Sequence, residues 1–405
     1  MLPKQSTFGF LRRLRAALPA LLLAIAGTYV LSRLGILARL EHLVLDTEMA
    51  AHVEASPDIR VVIITDSDYD ELFGGYPEAL HPSVLYKLID AIARSRPAVI
   101  AVDIDTSHPH FRNFHPESSW PTVIWERDVS TGGLENAEIE PLDVLGGQDP
   151  SLNKRSGIPQ LLDDPDDKIT RLYTRCVETK AGVEPSFVYA VVSAYRAAPA
   201  IRQTGAAPPC ENGANRPLQP FFIEYSLRPE SSLMTKRAAQ VLGLSGKKQD
   251  GGLESAIPEF KDKLVLLGGT YRDFDRHATP IGNLAGVMVL ANAIQTELGG
   301  HPVRALSRGW LFGLEFLSGT LLVLLFSFVP LVPWKLFASG LLASAAISLG
   351  VSYLSFHTMS RFANFAPTLL AVLAFEIYEQ VRHKSILQAL KSERKTEPAG
   401  EETKR

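Results

Sequence analysis

At 405 residues, the chain is long enough for one large core and something besides. Its formal net charge of -3, from 41 basic and 44 acidic residues, gives no bulk attraction to nucleic acid, and it carries neither a zinc-finger nor a helix-turn-helix pattern. Two cysteines exclude a disulfide framework and a four-cysteine zinc site. Hydrophobic residues make up 46%, with the apolar excess at the two ends, which predicts membrane segments flanking a soluble domain.

Residues 1–15 carry Lys4, Arg12, Arg13 and Arg15 and are expected in the cytoplasm. The apolar stretch 16–32 predicts a first transmembrane helix. A cleaved signal peptide is the rival, with Ala24 and Ala26 at cleavage-site spacing. Apolar residues continue through Tyr29-Val30-Leu31, which favours the uncleaved anchor. Either way the positive cluster stays inside, so residues 33–308 are expected outside the cytoplasm.

Ile59–Thr65 reads as a buried strand ending in Asp66-Ser67-Asp68. His81–Arg96 has helical spacing through Leu85, Leu88, Ile89 and Ile92, and Pro97 stops it. Ala98–Ile104 is a second apolar strand, so strand, helix and strand predict a βαβ unit and a largely parallel sheet. Pro121–Glu126 is a third strand, and Arg127–Pro165 reads as a long irregular insertion. Further along, Lys168–Glu178 reads as a strand, Pro185–Ala198 as a helix and Pro220–Ser226 as a strand. Leu264–Leu267 is a buried strand stopping at Gly268-Gly269. A charged loop follows with Arg272, Asp273, Asp275, Arg276 and His277, and a small-residue helix runs from Leu284 to about Leu298.

This closing stretch resembles the CHASE2 family, through Gly268, Asp275, Thr279, Pro280, Gly282, Gly286, Val287, Ala291 and Asn292. The acidic turn after the first strand and Val102-Asp103 in the second are similar too, and Arg171 is the nearest match to the family's paired-arginine strand. The resemblance implies an extracytoplasmic sensor with one leading and three trailing spans, held in a bacterial inner membrane, with a homodimer as one expected state.

The trailing spans are expected at 310–329, 336–356 and 362–380, with 381–405 as a cytoplasmic tail rich in positive charge. That tail carries no kinase, cyclase or phosphate-binding motif, so the expected output lies in a separate partner protein. No enzyme activity, cofactor or nucleic-acid partner is expected. The expected partners are an extracytoplasmic ligand, the signalling or complex partner and the lipid bilayer. An accessory or assembly subunit of a membrane complex is the alternative.

Asp66, Asp68, Asp103, Arg272, Asp273, Asp275, Arg276 and Thr279 are the candidate ligand-binding residues, since parallel strands bring their carboxyl ends to one edge. An Arg–Asp network that orders the loops is the bland reading of the same residues. Asp66-Ser67-Asp68 also fits the nucleophile and acid/base pair of a phosphatase-type hydrolase, against carboxylates that cap the next turn. His108, His110 and His115 are weak metal candidates, against a solvated loop. Cys176 and Cys210 could bridge in an oxidising compartment or stay as packed thiols.

Overall fold

The computed structural model describes residues 38–50, 58–73, 80–130, 139–147, 149–164, 167–201, 210, 219–227, 234–243, 257–273, 275–299 and 303–305, with 26, 30, 350, 353–354 and 361–362 besides. Residues 46–304 form one compact unit, and the site lies within it. Among the described residues no helix is long and apolar enough to cross a membrane. The four expected spans lie almost entirely outside the described residues.

Helix α1 (Ala38–Ala50) leads in, and β1 (Ile59–Ile64), α2 (Asp66–Phe73), α3 (Pro82–Arg94), β2 (Val99–Asp103) and β3 (Thr122–Glu126) follow. The chain then forms β4 (Ser156–Gly157), β5 (Leu161–Asp163), β6 (Thr170–Tyr173), β7 (Cys176–Thr179), β8 (Gly182–Pro185) and α4 (Phe187–Ala197). After β9 (Phe221–Phe222), β10 (Thr235–Arg237) and α5 (Ala238–Val241) come β11 (Leu264–Gly269), the hairpin β12 (Arg276–Thr279) and β13 (Gly282–Ala285), and α6 (Gly286–Leu298).

The predicted parallel sheet is present, with six strands in the order β10-β1-β11-β2-β3-β4, every pair parallel. Its central strands are apolar on both faces because helices cover both, as parallel sheets require. Val62, Ile64, Ile100, Val102, Val123, Trp125, Val265 and Leu267 face α3, whose Leu85, Leu88, Ile89 and Ile92 are fully buried. The alternate residues face α4 and α6. Proline in its first turn starts α3, and Arg96 at φ 52° followed by Pro97 stops it.

Five expectations need correcting. Asp66-Ser67-Asp68 is the first turn of α2 rather than a bare turn. The stretch 127–165 is not wholly irregular, since it supplies β4 and β5. At Gly157 a Cβ would meet the backbone of Ser186 and Phe187, so the chain is pressed against the start of α4 there. Lys168–Glu178 is two strands, because β6 pairs with β5 and β9 while β7 pairs with β8. The carbonyl of Arg175 between them accepts from Ser186 N instead of a ladder partner. Finally, the expected strand over 220–226 shrinks to Phe221–Phe222, and the final helix begins at Gly286 after a hairpin.

Two covalent or ionic ties hold the outer layer. Cys176 of β7 is bonded to Cys210, with Cα atoms 6.0 Å apart. Arg171 of β6, 1% exposed, sends Nε and Nη2 to Asp46 of α1 at 2.6 and 2.9 Å. Its Nη1 and Nη2 also reach Asp167 at 2.8 Å each, and Nη1 reaches Asp164 at 3.3 Å. Burial works against the charge on this guanidinium, but the carboxylates of Asp46 and Asp167 outweigh it and raise its pKa further.

Candidate functional site

The site grows from the carboxyl edge of the sheet, where β1, β11, β2 and β3 all end. Val102 pairs with Trp125, so the next residues of the two strands, Asp103 and Glu126, stand side by side. Strand alternation puts both on the face covered by α6. When one of the two is protonated, its carboxyl can donate a hydrogen bond to the other. Gly268 of β11 pairs with Asp103, and a Cβ there would collide with Val287 of α6 and with the Asp103 carboxylate.

Asp103 and Glu126 form the inner wall of a cavity of about 420 Å3. Tyr69 of α2 and Tyr271 close one side, their rings stacked 4.5 Å apart. Asp275, Arg276 and His277 form the side towards the hairpin, and Leu161, Leu290 and Pro159 supply apolar surface. His277 is held between Asp275 Oδ1 at 3.0 Å from Nε2 and Thr170 Oγ1 at 3.2 Å from Nδ1. Thr170 donates in turn to Asp163 at 2.5 Å.

Electrostatics follow from this placement. Burial, and then the charge of Asp275, push Asp103 up to about 7, against the hydrogen bond from Glu126 and the charge of His277. Burial and the charge of Asp103 raise Glu126 well above the ordinary carboxylate range. His277 is raised too, first by its hydrogen bond to Asp275, with burial opposing. A tightly paired set of carboxyls sharing a proton, faced by an imidazole, can bind cations, accept hydrogen bonds and exchange protons near neutral pH.

The sequence candidates fall into two groups. Asp103, Asp275 and Arg276 meet in the cavity. Asp66, Asp68, Arg272 and Thr279 lie outside it. Asp66 accepts a hydrogen bond from Arg272 N at 2.7 Å, and the Arg272 guanidinium lies over the Tyr69 ring at 5.0 Å. Asp273 sits in the 3-10 turn Tyr271–Asp273. Thr279 donates to Gly282 O and closes the β12–β13 turn.

Asp68 is fully buried in a reciprocal cap at the start of α2. Its Oδ2 accepts from Thr65 N at 3.0 Å and Thr65 Oγ1 at 2.8 Å, while its own N–H donates to Thr65 Oγ1 at 3.3 Å. Oδ1 accepts from Arg237 Nη2 at 3.0 Å and Ala239 N at 3.2 Å, which ties β10 and α5 to the sheet edge. Burial alone would raise this carboxyl, but the bonds from Arg237, Thr65 and Ala239 outweigh it and hold it below the usual range.

His108 Nδ1 accepts from His110 N and caps a 3-10 turn, and His110 Nε2 lies 3.3 Å from Leu80 O. With His115, these histidines make no metal-ligand grouping among the described residues.

Comparison with family profiles matches the CHASE2 domain over residues 20–329. The chain belongs to the CHASE2 family. CHASE2 domains are extracytoplasmic sensory domains, which implies a membrane-protein context. No curated protein and no solved structure matches. The CHASE2 signature residues now have physical roles. Gly268 and Gly286 leave room for Asp103 and Asp275, and Thr279 with Gly282 makes the hairpin turn. Asn292, fully buried in α6, accepts from Leu227 N at 2.8 Å and donates to Leu227 O at 3.3 Å, so a side-chain amide serves that segment as a strand neighbour would.

Glu126 and His277 are the site residues that sequence reasoning left out of the candidate set. The signal for Glu126 was present: two neighbouring parallel strands, Val99–Asp103 and Thr122–Glu126, each end in an acid.

Proposed function

We propose that this chain is a membrane-anchored receptor whose external CHASE2 domain reads a small polar signal in the sheet-edge cavity. A shift then passes through its transmembrane helices to a separate output protein. The observation that carries this reading is the gathering of Asp103, Asp275 and Arg276 around one cavity in a domain of a sensory family. The Cys176–Cys210 bridge supports an oxidising, extracytoplasmic compartment. Signalling requires that the bound signal favour one of two arrangements of the domain, since a ligand with equal affinity for both shifts nothing.

Co-purification of the full chain in mild detergent tests the partner. A chain that repeatedly brings down nothing counts heavily against the receptor reading. Deleting residues 273–277 separates receptor from assembly subunit. The receptor loses its response while complex yield holds, whereas an assembly subunit loses yield.

A further inference from the structure

The two innermost carboxyls of the cavity meet each other rather than a cation. Asp103 and Glu126 are fixed there by strand register, not by loop mobility, so they cannot drift apart without breaking the β2–β3 pairing. Two carboxyls set side by side on paired strands, facing one cavity, repel when both are ionised, which favours one proton held between them.

The surroundings reinforce this. Asp105 follows β2 and Asp128 follows β3, and both add negative potential at Glu126. Asp275 adds more from beside the hairpin, while His277 supplies the opposing charge that acts on Asp103. Asp163 of β5 acts on His277 from behind, and Arg276 lies on the exposed rim. Tyr271, pushed up to about 12 mainly by burial, stays neutral, and Tyr69 stacks on it. From α6 and from the chain between β4 and β5 the cavity receives only uncharged groups, among them Gly286, Leu290 and Pro159.

We propose that this carboxyl pair makes the cavity a proton sensor, so that the signal the domain reads is the pH of its compartment near neutrality. The inference deepens the receptor reading of the same cavity and rests on it. When the shared proton leaves, two adjacent negative charges face Asp275. The wall free to yield is the β12–β13 hairpin, which lies outside the six-stranded sheet and runs directly into α6.

Both carboxyls and His277 hold their protons more tightly in the folded domain than in an unfolded chain. Their contribution to stability is therefore complete below the ordinary carboxylate and imidazole values. It fades as pH rises through the folded values, near 7 for Asp103.

The test uses the purified full chain in detergent, with thermal unfolding followed by tryptophan fluorescence. Trp125 lies buried beside Glu126 and reports on the pair. Between about pH 5.5 and 8.5 the wild-type melting temperature should fall by roughly 4 °C or more. Glu126→Gln should reduce that slope, because it removes one of the two titrating carboxyls while leaving Asp103 a hydrogen-bond donor. Asp103→Asn should do the same, and it decides the matter if the first variant does not fold. His277→Gln should leave most of the slope. A flat wild-type profile, or a slope unchanged in both carboxyl variants, overturns the proposal. A partner that co-purifies from a chain with a flat profile removes the proton and leaves the receptor. A clear slope with no partner does the reverse.

Discussion

Around Arg171, three carboxylates converge on a guanidinium that is 1% exposed; in the cavity, Asp103 and Glu126 converge on each other. The two clusters have similar composition and opposite chemistry. The Arg171 guanidinium holds its charge across the neutral range, so its cluster anchors Asp46 to the sheet layer at any ordinary pH. A shared proton is exchangeable, so the cavity pair depends on the solution outside. The contrast separates acidic groups that build a domain from acidic groups that can report on its surroundings.

The largest effect should come from removing the cation. Arg171→Met leaves Asp46, Asp164 and Asp167 without their common partner and should cost about 3 kcal/mol or more, equally at about pH 6 and 8, by chemical denaturation. A slope with pH in that variant's loss would erase the contrast. Next, Cys176→Ser with Cys210→Ser opens a link between residues 34 apart in sequence. It should cost about 2–4 kcal/mol without regard to pH, read by the same denaturation.

Asp68 provides a control of opposite sign. Its folded pKa lies below the ordinary value of 3.8, so its contribution is complete above that value and is lost as pH falls through the folded one. Asp68→Asn should cost about 1–2 kcal/mol at neutral pH, and the gap to wild type should close in acid. The smallest effect is local. Asp275→Asn removes the main cause of the raised His277 pKa, which should drop towards 6.5 in an NMR titration with little change in global stability. An unmoved His277 would place the source of its shift elsewhere.

Much of the fold was legible because burial writes itself into apolar runs. Ile59–Ile64, Val99–Asp103 and Leu264–Gly269 read as strands, and Pro82–Arg94 reads as a helix from its spacing alone. What escaped was structure held by something other than apolar surface. Thr235–Arg237 is a polar edge strand fixed by the Asp68–Arg237 contact, and Ser156–Gly157 is too short to carry a pattern. The hairpin was hidden because its strands are mostly polar and half exposed. Within the site, the family pattern pointed to Asp103 and Asp275. Glu126 needed the sheet order, since only the neighbouring of β2 and β3 turns two separate acids into a pair.

Position 286 has a consequence of its own. A methyl group there would occupy the space of the Asp275 carboxylate, whose short side chain is 59% exposed and free to swing outward. Alanine at that point would therefore evict a charge from the chamber instead of unfolding the protein. One missing methyl group thus sets how many anions share the chamber.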